Sequence, residues 1–272
     1  MADLVSVDWL ADNLRTEGIC LLDCTWGLPG EAPPQPVGYI PGSQFFDIDE
    51  IADMTSSMKH MLATPDKFSS VMSTKGINNT DHIICYDRHG IRAAPRVWWN
   101  FKTFGHETVS ILDGGLPSWI KSGQAIVAEL ALPQKTSDYA INPAIIKTAD
   151  SNFVMSKIGT HYQIVDARPT GRFLGTTPEP RAGLRSGRIP GSLSLPFGSL
   201  KQEDGRFLSL PELAKRVGLA GINLSQPIIT SCGSGVTAAG IAHVLYRLGA
   251  KEISLYDGSW TEWGASDLPI ET

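Results

Sequence analysis

The chain has 272 residues, 42% of them hydrophobic and 19% charged, and 23 Lys and Arg stand against 28 Asp and Glu for a formal net charge of −5. That length makes roughly two domains of about 150 residues, each able to bury a full core, which excludes a disordered or coiled-coil chain. The acidic balance excludes a nucleic-acid or anionic-membrane binder acting through bulk charge, no apolar run approaches the roughly 18 residues of a membrane span, and the start Met1-Ala2-Asp3-Leu4 has no signal- or transit-peptide character, so a cytoplasmic protein is expected.

In chain order, Leu21-Leu22-Asp23 is the first strand-like run, followed by the turn Gly38-Tyr39-Ile40-Pro41-Gly42-Ser43. His82-Ile83-Ile84-Cys85-Tyr86-Asp87 is a second strand, after which Ala94, Val97, Trp98 and Phe101 fall at i, i+3, i+4, i+7 and predict a helix closing at Gly105. Ile111-Leu112-Asp113-Gly114 follows as a further strand and turn. From about residue 122 to 144 the periodicity is lost and turn residues accumulate, as in a linker.

The same elements then return in the same order. Ile164-Val165-Asp166 echoes Leu21-Leu22-Asp23, Gly187-Arg188-Ile189-Pro190-Gly191-Ser192 echoes the first turn, Pro227-Ile228-Ile229-Thr230-Ser231-Cys232 echoes the strand ending at Asp87, and Leu255-Tyr256-Asp257-Gly258 echoes Ile111 to Gly114. Every echo lies about 145 residues after its partner, the mark of one domain present twice. Short β-branched runs separated by helical spacing, as in Ile241, Val244, Leu245 and Leu248 before Gly249, predict an α/β unit built on a mostly parallel sheet.

Four cysteines in a chain of this length are too few for a disulfide scaffold. Cys20, Cys24 and Cys85 lie in apolar strand text and read as buried structural thiols, and Cys20 with Cys24 lacks the second Cys/His pair of a metal site. Cys232 differs. The text Cys232-Gly233-Ser234-Gly235-Val236-Thr237-Ala238 follows a buried strand and opens a helix. Two glycines let the backbone curl its N–H groups inward, and the helix N-terminus adds partial positive charge; that setting favours the thiolate, the nucleophilic form.

That loop, the two α/β copies and the ending Tyr256-Asp257-Gly258-Ser259-Trp260-Thr261-Glu262-Trp263 resemble the two-domain rhodanese family, and within it the 3-mercaptopyruvate sulfurtransferases, over nearly the whole chain. The resemblance implies tandem rhodanese-like domains, each a mostly parallel sheet flanked by helices: a catalytically inactive copy over 1–121, a linker over 122–144 and a catalytic copy over 145–272. Asp87, opposite Cys232 in the repeat, cannot carry a sulfane sulfur. Thiosulfate-using rhodaneses place cations just after the cysteine, whereas Gly233-Ser234 is neutral and better matched to a monoanion. The phosphatases related to this fold need an arginine where Ala238 stands.

The resemblance also implies site roles. Taken singly, Arg172 and Arg181 are surface charges; the family motif makes them the fork that holds an α-keto acid, with Arg168, Arg185 and Arg188 nearby. Cys232 is the nucleophile, the N–H groups around Gly233, Gly235, Val236 and Thr237 hold the anion, and Asp49, His60 and Ser234 form a proton relay, although residue type alone makes His60 an exposed loop histidine. The expected reaction takes sulfur from 3-mercaptopyruvate as a cysteine persulfide, releases pyruvate, and passes the sulfur to thioredoxin, a small thiol or cyanide. No cofactor, metal, nucleic acid or membrane takes part. The alternatives are a thiosulfate:cyanide sulfurtransferase on the same scaffold and a non-enzymatic binding module.

Overall fold

A computed structural model describes residues 3–27 and 37–272. The first half builds β1 (Leu4–Val5), α1 (Val7–Asn13), β2 (Ile19–Asp23), β3 (Gln44–Phe45), α2 (Pro65–Thr74), β4 (His82–Tyr86), α3 (Ala94–Thr103), β5 (Val109–Leu112) and α4 (Gly115–Lys121). The second builds β6 (Lys147–Ala149), α5 (Ser151–Lys157), β7 (Gln163–Asp166), α6 (Thr170–Phe173), β8 (Leu193–Ser194), α7 (Leu210–Leu219), β9 (Ile228–Ser231), α8 (Val236–Arg247), β10 (Ile253–Tyr256) and α9 (Ser259–Trp263).

Each half forms its own five-stranded parallel sheet, in the order β1-β5-β4-β2-β3 and β6-β10-β9-β7-β8. Written from the start of each half, these are one topology, so the repeat read from the text is a repeat of fold. All five residues of β4 and all four of β9 are buried, because parallel strands joined by crossover helices are covered on both faces. That is why Ile83-Ile84-Cys85 and Ile228-Ile229 read as unbroken apolar runs rather than as alternation.

In the first unit Leu10, Leu21, Ile84, Tyr86, Leu112 and Trp119 share a core; in the second Val154, Ile164, Ile229, Tyr256, Trp260 and Trp263 do. Three buried indoles have a partner for their N–H group: Trp119 donates to Ala125 O at 2.8 Å, Trp260 to Arg185 O at 2.9 Å and Trp263 to Pro269 O at 2.8 Å. Gly240 in α8 weakens the helix intrinsically but admits the Phe197 ring, whose Cε2 would lie 2.3 Å from a methyl placed there.

The compact units do not follow a single cut in the chain, which amends the linear division into 1–121, 122–144 and 145–272. One comprises Met1–Met54, Leu62–Ile145 and Gln202–Phe207, the other Thr55–Met61, Ile146–Lys201 and Leu208–Thr272. The segment read as a linker runs along the first unit, with Tyr39 and Val127 exchanging backbone hydrogen bonds at 2.9 Å and Ala131 N donating to Ser43 O at 2.8 Å. Tyr139 is buried there, stacked on His106. Gln202–Phe207, from the second half of the sequence, is also part of the first unit: Phe207 N donates to Asp113 Oδ1 at 3.0 Å. A methyl on Gly90 would meet Gly205 Cα at 2.9 Å, so the two backbones meet where neither residue has a side chain. No helix among the described residues is long and apolar enough to cross a membrane.

Candidate active site

β9 ends at Ser231 and α8 begins at Val236, so Cys232 to Gly235 make the whole turn from strand to helix. Gly235 turns at φ 77°, a left-handed conformation open to glycine, and Cys232 is buried at 2% exposure. Two carbonyls of the turn are spoken for. Cys232 O accepts from Trp260 N at 3.0 Å, and Gly233 O from Thr261 N at 2.9 Å and Thr261 Oγ1 at 2.7 Å. Because a trans peptide points its C=O and N–H in opposite directions, this directs the N–H groups of Gly233 and Ser234 away from α9 and into the turn.

Cys232 N donates to Ser259 Oγ at 3.1 Å, and Ser259 Oγ donates to Tyr256 O at 2.8 Å. Ser259 has φ 49°, unusual for a residue with a side chain. Its counterpart in the repeat is Gly115, with φ 55°. The second unit thus accepts backbone strain that glycine avoids in the first, and gains a hydroxyl anchoring the cysteine. Neither Ser259 nor Thr261 was assigned a role from sequence; the available signal was that Ser259 replaces a glycine across the repeat.

The first unit shows what such a turn holds. Asp87-Arg88-His89-Gly90-Ile91-Arg92-Ala93-Ala94 aligns without gaps on Cys232-Gly233-Ser234-Gly235-Val236-Thr237-Ala238-Ala239. Leu116 N donates to Asp87 O at 3.0 Å, the counterpart of the Trp260 to Cys232 bond. The Asp87 carboxylate accepts from His89 N at 2.9 Å through Oδ1, and from Arg92 N at 2.7 Å, Ala93 N at 2.9 Å and Ala94 N at 3.0 Å through Oδ2. Four backbone N–H groups converge on one anion. In the alignment the positions of those four groups are taken by Ser234, Thr237, Ala238 and Ala239, of which the last three already lie inside α8.

Arg172 and Arg181 both reach this loop. A methyl on Gly233 would lie 3.0 Å from Arg172 Nη2 and 3.8 Å from Arg181 Nη1, so the missing side chain at 233 is the space the two guanidinium groups use. Behind them Asp166, at the end of β7, pairs with buried Arg168 (2.7 Å), whose other nitrogen pairs with Glu179 at 2.7 Å. Glu179 also holds Arg172. Nothing in the sequence marks Glu179 for this role; its pairing is visible only once the chain is folded. Arg185 is no part of this group: it donates to Trp263 O at 3.1 Å and Leu268 O at 2.8 Å and ties down the C-terminal segment. Arg188 pairs with Glu271 at 3.3 Å.

Of the expected relay, Ser234 is half-buried on the cysteine loop, and His60 belongs to the same unit, in the segment Thr55–Met61. His60 is buried rather than exposed, with φ 65°. Asp49 belongs to the first unit, where it accepts from Trp26 Nε1 at 3.1 Å. Cys20 and Cys24 are poor nucleophiles. Burial, with the Asp81 carboxylate 3.5 Å away, pushes the Cys20 thiol up to about 12, and complete burial beside Cys85 raises Cys24 well above the ordinary thiol range. Among the described residues no cluster of His, Cys, Asp and Glu is arranged to hold a metal ion.

The family model of the rhodanese-like domain matches the chain twice, over residues 6–122 and 154–266. The chain belongs to the rhodanese family. Among curated rhodanese relatives, a 3-mercaptopyruvate sulfurtransferase of Escherichia coli strain K12 is 40% identical, covering 98% of this chain and 97% of that protein. A mitochondrial thiosulfate/3-mercaptopyruvate sulfurtransferase of Arabidopsis thaliana is 42% identical over 99% of this chain and 78% of its own. A thiosulfate sulfurtransferase of Rattus norvegicus is 39% identical over 96% and 91%. Among solved structures, the rhodanese-fold SseA of Escherichia coli, a 3-mercaptopyruvate sulfotransferase, superposes with a TM-score of 0.85 at 35% identity, covering 96% of this chain and 99% of that one.

Proposed function

We propose that this rhodanese is a sulfurtransferase that takes the sulfur of 3-mercaptopyruvate onto Cys232 and hands it to a thiol or cyanide. The observation that carries the reading is the convergence of Arg172 and Arg181 on Gly233, beside a cysteine in a backbone anion cradle. A planar fork of N–H donors suits the adjacent carboxylate and keto oxygens of an α-keto acid, and relatives named for 3-mercaptopyruvate align over nearly the full chain.

In the proposed reaction the Cys232 thiolate attacks the substrate sulfur. A sulfur–sulfur bond forms, the carbon–sulfur bond breaks, and its electron pair leaves as pyruvate enolate, which takes a proton to give pyruvate. Ser234, on the cysteine loop, is the proposed proton source, with His60 of the same unit as its relay. The N–H groups of Ser234, Thr237 and Ala238 stabilise the persulfide anion, as those of His89, Arg92 and Ala93 stabilise the Asp87 carboxylate. An acceptor thiolate or cyanide then attacks the outer sulfur and restores the Cys232 thiolate.

Thiosulfate as the preferred donor is the second reading, favoured by the relatives named thiosulfate sulfurtransferase. Against it, Arg172 occupies the space over Gly233 that a cationic side chain at that position would need. Steady-state turnover with each donor at equal concentration, following pyruvate and thiocyanate, tests the choice; preference for mercaptopyruvate is expected, and preference for thiosulfate reverses it. Mass spectrometry after donor treatment without acceptor should find one added sulfur on the peptide bearing Cys232.

A further inference from the structure

The Glu179 side chain lies between two arginines at 2% exposure. Its Oε1 accepts from Arg168 Nη1 at 2.7 Å, and its Oε2 accepts from Arg172 Nε at 3.0 Å and from Arg172 Nη2. Arg168 is itself immobile: Nε donates to Asp166 Oδ2 at 2.9 Å, Nη2 to Gly187 O at 2.8 Å, and the guanidinium lies 4.1 Å over the Trp260 ring. Glu179 is thus held from behind by Arg168, and Arg172 is fastened to its other oxygen.

A guanidinium has five N–H donors. Glu179 takes the inner edge of Arg172, formed by Nε and one proton of Nη2, and leaves the outer edge of Nη1 and Nη2 free to meet a planar anion. That outer edge stands at the cysteine loop, with Nη2 3.0 Å from the position a methyl on Gly233 would occupy. The charges count as well. Asp166, Arg168, Glu179 and Arg172 alternate in sign and sum to zero. Arg181, paired with no acid among the described residues, then adds a single positive charge.

Resting on the sulfurtransferase reading above, we propose that Glu179 is a positioning residue of this site: it presents the outer edge of Arg172 to the donor and, by cancelling one arginine charge, sets the preference for a monoanionic donor over a dianionic one. The first unit lends the idea independent support. There the cation at the position of Gly233 is Arg88, and it is spent on Asp23 at 3.1 Å, so a cation beside this turn is placed by whichever carboxylate grips it.

The test is steady-state kinetics with mercaptopyruvate and with thiosulfate on the wild type and on Glu179→Gln, Glu179→Asp and Arg172→Lys. The Asp and Lys variants keep the charge count but break the two-point hold; KM for mercaptopyruvate should rise about tenfold, with kcat and the donor ratio little changed. Glu179→Gln keeps the size and removes one negative charge, so the ratio of kcat/KM values should move about tenfold toward thiosulfate. A purely structural Glu179 lowers thermal stability and the active fraction for both donors alike, leaving KM and the ratio where they were; that result overturns the proposal. Should the Gln variant fail to fold, unchanged KM in both Asp and Lys variants overturns it equally. Failure of the wild type to turn over mercaptopyruvate strikes the functional reading instead, and is seen before any variant is compared.

Discussion

The turns at Asp87 and Cys232 have one backbone plan and opposite contents. In the first unit the anion is part of the chain: the Asp87 carboxylate closes the circle of N–H groups and the helix that follows starts only at Ala94. In the second, a neutral turn of small residues surrounds a cysteine, the helix starts three positions earlier in the alignment, at Val236, and the strained Ser259 supplies a hydroxyl where the first unit has Gly115. A backbone anion cradle is visible at Asp87, where the chain fills it; on the proposed reading the equivalent turn at Cys232 leaves it for a sulfur anion. The cations follow the same division. Arg88 is fastened to Asp23 in the first unit, whereas in the second Gly233 clears the space into which Arg172 and Arg181 reach.

The sharpest break in this comparison is Cys232→Ser, which leaves the cradle and removes the sulfur carrier. Turnover with either donor should fall by at least about a thousandfold, the scale for losing a covalent nucleophile, while the thermal midpoint changes little. Residual mercaptopyruvate turnover near wild type would move the chemistry to another residue.

Next in size is Asp87→Ala, which empties the first cradle. Four N–H groups lose a buried charged acceptor, at a cost on the order of 3 kcal/mol of stability by urea unfolding. Millimolar sulfate should restore part of the thermal midpoint of this variant and do less for the wild type. Equal response in both proteins would show that the first turn is not an anion cradle.

The smallest effect expected is with pH. His82 heads β4 of the first unit, hydrogen-bonded to Ser110 Oγ at 2.7 Å; burial, with His106 and Lys102 nearby, lowers its folded-state value to about 4, and burial lowers His106 too. The unfolded chain binds these protons more readily, near pH 6.5, so the contribution is full above about pH 6.5 and is lost as pH falls through about 4. The repeat places Pro227 opposite His82. Urea midpoints measured between pH 7.5 and 4.5 should therefore fall with acid, and His82→Gln should flatten the fall.

Much of this was legible without coordinates, where the signal is local. The strands ending at Asp87 and Cys232, the helices after them and the doubling of the domain all appear as periodicity and repetition, because neighbouring residues share an element and its burial. What stayed hidden involves residues distant in the chain. Ser259 is 27 positions from the cysteine whose N–H it receives. Glu179 has no sequence mark separating it from any turn acid, and His60 reads as an exposed loop residue although the fold buries it. The exchange of Thr55–Met61 and Gln202–Phe207 between the units is equally invisible, since a loop's text does not say which core it will cover.

By itself, then, the sequence determined that there are two α/β copies and that one carries a cysteine in a glycine turn at a helix start: backbone geometry follows from residue type at close range. Only the tertiary structure decided where the charges go. It showed that the Asp87 carboxylate accepts from the N–H groups of its own turn, that Arg172 pairs with Glu179, and that the missing side chain of Gly233 leaves room beside Arg172. Ion pairs and cradles depend on distances of about 3 Å between groups many residues apart, and only packing sets those distances.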